Sequence, residues 1–137
     1  MRTEDDVILC SAAGADALGF IFASSPARLD VTVAAHIARQ APAAVERVGV
    51  FAEQDRALIC DAIERVELDV LQFCGGESAE FRGSFGLPTI VVVGVGRQGA
   101  RSALPAPASL AMARACAILI DSHHGAVLGG TGMRIDT

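Results

Sequence analysis

The chain has 137 residues, 52% of them apolar, a formal net charge of -5 and a mean hydropathy of +0.45. That is room for one domain with a real core and not for two, and it excludes extensive disorder and a general electrostatic field for nucleic acid. All 11 basic residues are arginine, so Schiff-base lysine chemistry and a P-loop lysine are both excluded.

In chain order, Thr3 to Ala13 predicts a helix, with Thr3 as N-cap and Asp6 three residues on. The segment before it, Met1-Arg2-Thr3-Glu4-Asp5-Asp6, is acidic where a secretory signal is basic, which points to the cytoplasm. Leu18 to Phe22 reads as the first strand, followed by a helix over Val31 to Gln40. Val48 to Phe51 is the second strand. Gln54 to Val66 carries Leu58, Ile59, Ala62 and Ile63 as an apolar helical stripe. Val70 to Phe73 is the third strand, and Glu77 to Phe85 a shorter helix. Thr89 to Val93 is the fourth strand. Arg97 to Ser109 reads as a loop feeding an alanine-rich helix over Pro107 to Arg114, and Ala117 to Ile120 closes as the fifth strand. Each strand run is nearly continuous rather than alternating, the pattern of parallel strands covered on both faces. The longest apolar stretch, Leu87 to Val95, is far short of the roughly 20 residues of a membrane span.

Regular βα alternation predicts a parallel sheet with right-handed crossovers. Periodicity leaves two architectures open: a doubly wound open sheet, or an arc of an eight-stranded barrel. In both, ligands meet the C-terminal strand ends. The fourth strand leads into Gly94-x-Gly96-x-x-Gly99, and Asp121 follows about 22 residues later, as in a dinucleotide fingerprint. The helix that such a motif needs at its glycines would be broken by Pro105 and Pro107, at about 3 kcal/mol for each proline in a helix interior. A nucleotide-binding module using Gly94, Gly96 and Gly99 is therefore the minor alternative. Asp121 ends an apolar strand, where a carboxylate needs solvent, a partner or a substrate. Arg28, after Ser24-Ser25-Pro26, suits a carboxylate or phosphate clamp if it lies beside a site. The His123-His124 pair reads as a solvated loop and no metal site is expected. Cys10, Cys60, Cys74 and Cys116 show no paired spacing, so neither a disulfide framework nor a zinc site is expected; most read as small buried apolar residues.

Five ordered segments stand out together: Gly14-Ala15-Asp16-Ala17-Leu18-Gly19-Phe20-Ile21-Phe22 with Ser25-Pro26-Ala27-Arg28; Arg47-Val48-Gly49-Val50-Phe51; Asp69-Val70-Leu71-Gln72-Phe73 with Gly75 and Glu77-Ser78; Gly86-Leu87-Pro88-Thr89-Ile90; and Leu119-Ile120-Asp121 with Gly129-Gly130-Thr131-Gly132 and Asp136. Any one is weak, but five in register over essentially the whole chain are specific. Together they resemble phosphoribosylanthranilate isomerase, the Amadori-rearrangement enzyme of tryptophan biosynthesis. The resemblance implies an α/β fold of the (β/α)8 TIM-barrel type, here a single, partial domain over residues 1–137 with about five parallel strands. It implies Asp121 as the general acid, Arg28 as the holder of the anthranilate carboxylate, Cys74 and Gly130 at the substrate, and no cofactor. The partner is a phosphorylated sugar, not nucleic acid or membrane.

The departures from the family pattern are specific. The Lys-x-Cys-Gly segment whose cysteine is the general base has no counterpart, and Cys10 lies in a helix instead. The family's Gln-Leu-His-Gly stands as Gln72-Phe73-Cys74-Gly75, and the lysine usual on the next strand is replaced within Val91-Val92-Val93. The last two strands, which bind the substrate phosphate, have no counterpart after Asp136-Thr137. These departures predict little isomerase activity from the 137 residues alone, and an open arc completed by a barrel half or by oligomerisation. A non-catalytic paralogue is the alternative within the family.

Overall fold

A computed structural model describes residues 1–95, 105–124 and 127–128, with side chains over 1–94 and 105–121. The chain runs α1 (Glu4–Ala12), β1 (Ala17–Ile21), α2 (Val31–Ala38), β2 (Glu46–Phe51), α3 (Arg56–Val66), β3 (Val70–Phe73), α4 (Ala79–Gly83), β4 (Thr89–Val95), α5 (Pro107–Met112), β5 (Ala115–His124) and β6 (Val127–Leu128). No helix among the described residues is long and apolar enough to cross a membrane.

Local chemistry sets the helix starts. Thr3 Oγ1 accepts the Asp6 N–H at 3.1 Å, and the Asp6 carboxylate accepts the Thr3 and Arg2 N–H groups at 2.9 and 2.8 Å, closing a reciprocal cap on α1. Asp30, Asp55 and Ser78 cap α2, α3 and α4 with one bond each, accepting the N–H of Thr32, Leu58 and Phe81, and α3 and α4 accordingly start two residues later than periodicity predicts. Pro107 is at the first helical position of α5, where its missing N–H costs nothing. Replacing Thr3 by alanine is expected to destabilise the fold by about 1 kcal/mol, read in a urea titration.

The α1 cap also gives acid sensitivity. Backbone N–H groups of Arg2 and Thr3 hold the Asp6 carboxyl below its ordinary 3.8. A lowered folded-state value means that the contribution is complete above the unfolded value near 3.8 and is lost as pH falls through the folded one. Urea midpoints of the parent chain and Asp6→Asn are therefore expected to converge below pH 4 and diverge above it.

Strand order decides between the two architectures. β1 to β5 are parallel and neighbour one another in chain order, β1-β2-β3-β4-β5, with β6 antiparallel at the end. A doubly wound sheet needs an order that reverses at a switch point, so that helices cover both faces. Sequential right-handed crossovers put all the helices on one face and curve the sheet around the other. Gly94, the first glycine of the dinucleotide-like motif, is moreover inside β4, laterally paired with Asp121. Gly96 and Gly99 lie outside the described residues.

The core fills the helix-covered face. Leu18 and Phe20 from β1, Phe22 directly after it, Phe51 from β2 and Leu71 and Phe73 from β3 are buried there with Ala34, Ile37, Ile59 and Ala62 from the helices. Phe22 stacks on Phe51 at 5.2 Å between ring centroids, Phe51 meets Phe73 at 6.0 Å, and Phe73 leads on to Phe81 and Phe85. The Arg56 guanidinium lies 4.6 Å over the Phe85 ring.

Burial of the strands alternates, contrary to the double coverage expected from their apolar runs. Ile21, Val50, Gln72, Ile90 and Val92, which face the concave side, are only half-buried. On β5, Ile118, Leu119 and Ile120 are 39%, 39% and 49% exposed. The runs are apolar on both faces, but only one face meets helices among the described residues. Along the free edge of β1, the Met1 ammonium donates to the Gly19 carbonyl at 2.8 Å.

Two further expectations are corrected. β5 runs past Ile120 to His124, and His123 and His124 pair with Leu128 and Val127 instead of forming a solvated loop. Hydrogen bonding to β4 and to the returning strand extends the ladder beyond the apolar signal. Nor are most of the cysteines buried: Cys60 and Cys116 are exposed, Cys10 and Cys74 are half-buried, and all four are free thiols.

Candidate active site

Parallel strands place their C-terminal ends on one rim, and a concavity of about 360 Å³ opens there between β3, β4 and β5. Gln72, Cys74 and Gly75 form one wall, Val92 and Gly94 the floor, and Leu119 and Asp121 the other wall. Side-chain alternation explains this membership. Gln72 on β3 and Cys74 directly after the strand are two residues apart and share a face, and Val92 and Gly94 are the lateral partners of Leu119 and Asp121. Phe73 and Val93, between them, point to the helix layer.

Asp121 lines this concavity, three residues before the end of β5 instead of closing the strand. Cys74 lines it too. Burial pushes the Cys74 thiol up, the nearby Glu77 and Asp121 carboxylates push in the same direction, and the Gln72 amide, donating to Sγ at 3.5 Å, pulls the other way. Cys74 is accordingly a protonated thiol at neutral pH, suited to a pocket wall and not to a base. Alkylation by iodoacetamide at neutral pH, followed by peptide mass mapping, is expected to label exposed Cys60 and Cys116 well before Cys74.

Arg28 stands on the same rim, in the loop after β1, but it is exposed and is not among the residues lining the concavity. The structure thus unites Asp121 with Cys74 and leaves Arg28 at the rim near β1. Gly130 lies outside the described residues.

Side chains that no sequence motif marked support the β3 wall. Glu77, its side chain only 5% exposed, accepts the Glu53 N–H at 2.6 Å and so ties the loop after β3 to the loop after β2. Arg82 donates to the Gly75 carbonyl at 3.1 Å and lies 3.9 Å from Glu77, a charge contact longer than a hydrogen bond. Glu53 holds φ of 63°, a strained conformation for a side-chain-bearing residue. The only sequence signal for this tie was an acidic residue directly after the Gly75-Gly76 pair.

Gly75 is the close-approach point. A Cβ there would lie 2.9 Å from Glu53 Cγ, 3.0 Å from Glu77 Oε1 and 3.1 Å from the Glu53 backbone nitrogen. Gly75→Ala is expected to destabilise the fold by about 1–3 kcal/mol, measured by urea unfolding. An unchanged midpoint would show that the two loops are not held together at this point.

Among the described residues, no group of three or more His, Cys, Asp or Glu side chains is gathered as metal ligands. A parallel arc of consecutive βα units, with a carboxylate in a concavity at its C-terminal rim, defines a partial (β/α)-barrel domain. The family model described as N-(5'phosphoribosyl)anthranilate (PRA) isomerase matches residues 1–137, and the chain belongs to that family. The N-(5'-phosphoribosyl)anthranilate isomerase of Thiobacillus denitrificans is 36% identical over 133 residues, covering 96% of this chain and 63% of the relative. That of Acidithiobacillus ferrooxidans is 38% identical over 134 residues, with the same two coverages of 96% and 63%. Among solved structures, the Thermotoga maritima phosphoribosyl anthranilate isomerase superposes with a TM-score of 0.77 at 26% identity, over 97% of this chain and 63% of that one. The Thermus thermophilus enzyme gives 0.74 at 30% identity, over 91% and 60%. The chain thus spans somewhat less than two thirds of the length of these relatives.

Proposed function

We propose that residues 1–137 form one barrel-type domain carrying the acid side of a phosphoribosylanthranilate isomerase site, acting in tryptophan biosynthesis in the cytoplasm. The observation that supports this reading most is the family match over the whole chain, coupled with Asp121 lying in the rim concavity. A relative has been solved in complex with reduced 1-(o-carboxyphenylamino)-1-deoxyribulose 5-phosphate. The substrate class for this chain is correspondingly an N-linked aryl ribosylamine 5-phosphate, and no cofactor is needed.

In this reading Asp121 donates a proton to the ribose ring oxygen of N-(5-phosphoribosyl)anthranilate. The C1′–O bond breaks and a Schiff base forms between C1′ and the anthranilate nitrogen. Arg28, reaching in from the β1 rim, holds the anthranilate carboxylate. Removal of the C2′ proton gives an enolamine, which collapses to the 1-deoxyribulose ketone. Cys74, held as a thiol, is not the base for that step. The base and the phosphate anchor come from a complementing barrel segment, in a longer chain or in a second molecule.

Growth of a tryptophan auxotroph lacking this isomerase tests the proposal. A reading frame supplying a Lys-x-Cys-Gly strand ahead of these residues and the phosphate-binding strands after them is expected to restore growth. Failure to do so would count against the isomerase reading. Growth with the 137 residues alone would overturn the need for an external base.

A further inference from the structure

At the opposite end of the strands, a cleft of about 130 Å³ lies between α2, α3 and the start of β2, lined by Ala35, Ala38, Arg39, Arg47, Arg65, Val66 and Glu67. Three guanidinium groups and one carboxylate meet there. We propose that this cleft binds a small tetrahedral oxyanion, the phosphoryl dianion being the natural ligand class.

Arg47 carries the argument. Its side chain is only 17% exposed, yet among the described residues its guanidinium makes no hydrogen bond and its buried Nε has no partner. Its ionic neighbour among the same residues, the Glu67 carboxylate, stands 3.8 Å away and is itself 79% exposed. A largely buried cation with unfilled donors is costly unless something accepts from it. The cleft that it lines is large enough for one oxyanion and too small for a metabolite body.

Opposing charges around the cleft are the test of this reasoning. Asp61 is occupied by Arg65 at 3.3 Å, and Arg65 also donates to Thr32 Oγ1 at 2.9 Å. The Asp69 carboxylate accepts the Arg47 backbone N–H at 2.8 Å. The C-terminal ends of α2 and α3, each worth roughly half a negative charge, point toward Arg39 and Arg65 and use part of their charge. Arg39 makes no ion pair with a described residue, so Arg39 and Arg47 remain as the two forks able to hold an anion between them.

Calorimetric titration of the 137-residue chain with inorganic phosphate, in a buffer free of other multivalent anions, tests this site. One phosphate per chain is expected, with affinity weakened at least about tenfold in Arg39→Gln, the loss of one charge-assisted fork. Arg47→Gln is expected to abolish binding; Arg39 is exposed, so its variant remains informative if Arg47→Gln does not fold. Asp121→Asn, at the far rim, is expected to leave binding unchanged. Equal affinity for glycerol 3-phosphate would assign the site to the phosphoryl group alone, and tighter binding of the ester to the phosphoryl end of a metabolite. No heat of binding, binding insensitive to Arg39→Gln, or binding lost in Asp121→Asn would overturn the proposal.

Discussion

Asp121→Asn is expected to lower kcat/KM for phosphoribosylanthranilate by about 10²–10⁴-fold in the assembled isomerase, the range for loss of a positioned general acid. Asparagine has nearly the same shape and still hydrogen-bonds, but it has no proton to give to the ring oxygen. Asp121 lines an open concavity and lies beside Gly94, so the substitution leaves no void in the core. Steady-state kinetics and a thermal melt on the same preparation separate the two effects. Turnover should fall by orders of magnitude while the melting temperature stays within a few degrees. A kinetic change below about tenfold would remove Asp121 from the acid role, and with it the concavity's claim to be the reacting centre.

Phe51→Ala is expected to produce the largest loss of stability. Phe51 is fully buried between Phe22 and Phe73, and the chain makes room for its ring by having no side chain at position 49. A Cβ on Gly49 would come 2.7 Å from Phe51 Cε2 and 2.5 Å from Leu68 Cδ1. Large-to-small truncation of such an aromatic costs about 3–5 kcal/mol, against a total stability of about 5–15 kcal/mol for a domain. In a chain of this size, that should lower the melting temperature by roughly 10–20 °C, followed by circular dichroism. The consequence for function is direct, because Phe22, Phe51 and Phe73 lie beneath the loops that bear Arg28, Glu53 and Cys74. A shift below about 5 °C would show that the phenylalanine column is not the keystone of the helix-covered core.

The elements and the fold class were legible in the sequence because their causes are local. Thr3 and Asp6 cap each other within one turn, the apolar runs of β1 to β5 recur at βα spacing, and Pro107 can only open a helix. The family was legible for a different reason, since five ordered segments carry the resemblance. The candidate site was legible only in part. Asp121 and Cys74 were marked by their strand ends, but nothing local showed that they share one wall-to-wall concavity from which Arg28 is absent. Nor did it show that Glu77 reaches across to Glu53.

What the amino-acid order determined by itself was the type of each helix and of the apolar strands β1 to β5. Tertiary structure decided the rest: a sequential strand order in place of a doubly wound one, the extension of β5 to His124, and the exposure of Cys60 and Cys116. It also left one face of the sheet half-covered although both are apolar. Propensity and capping act over a few residues, whereas strand neighbours and burial are settled by side chains and hydrogen-bond partners tens of residues apart.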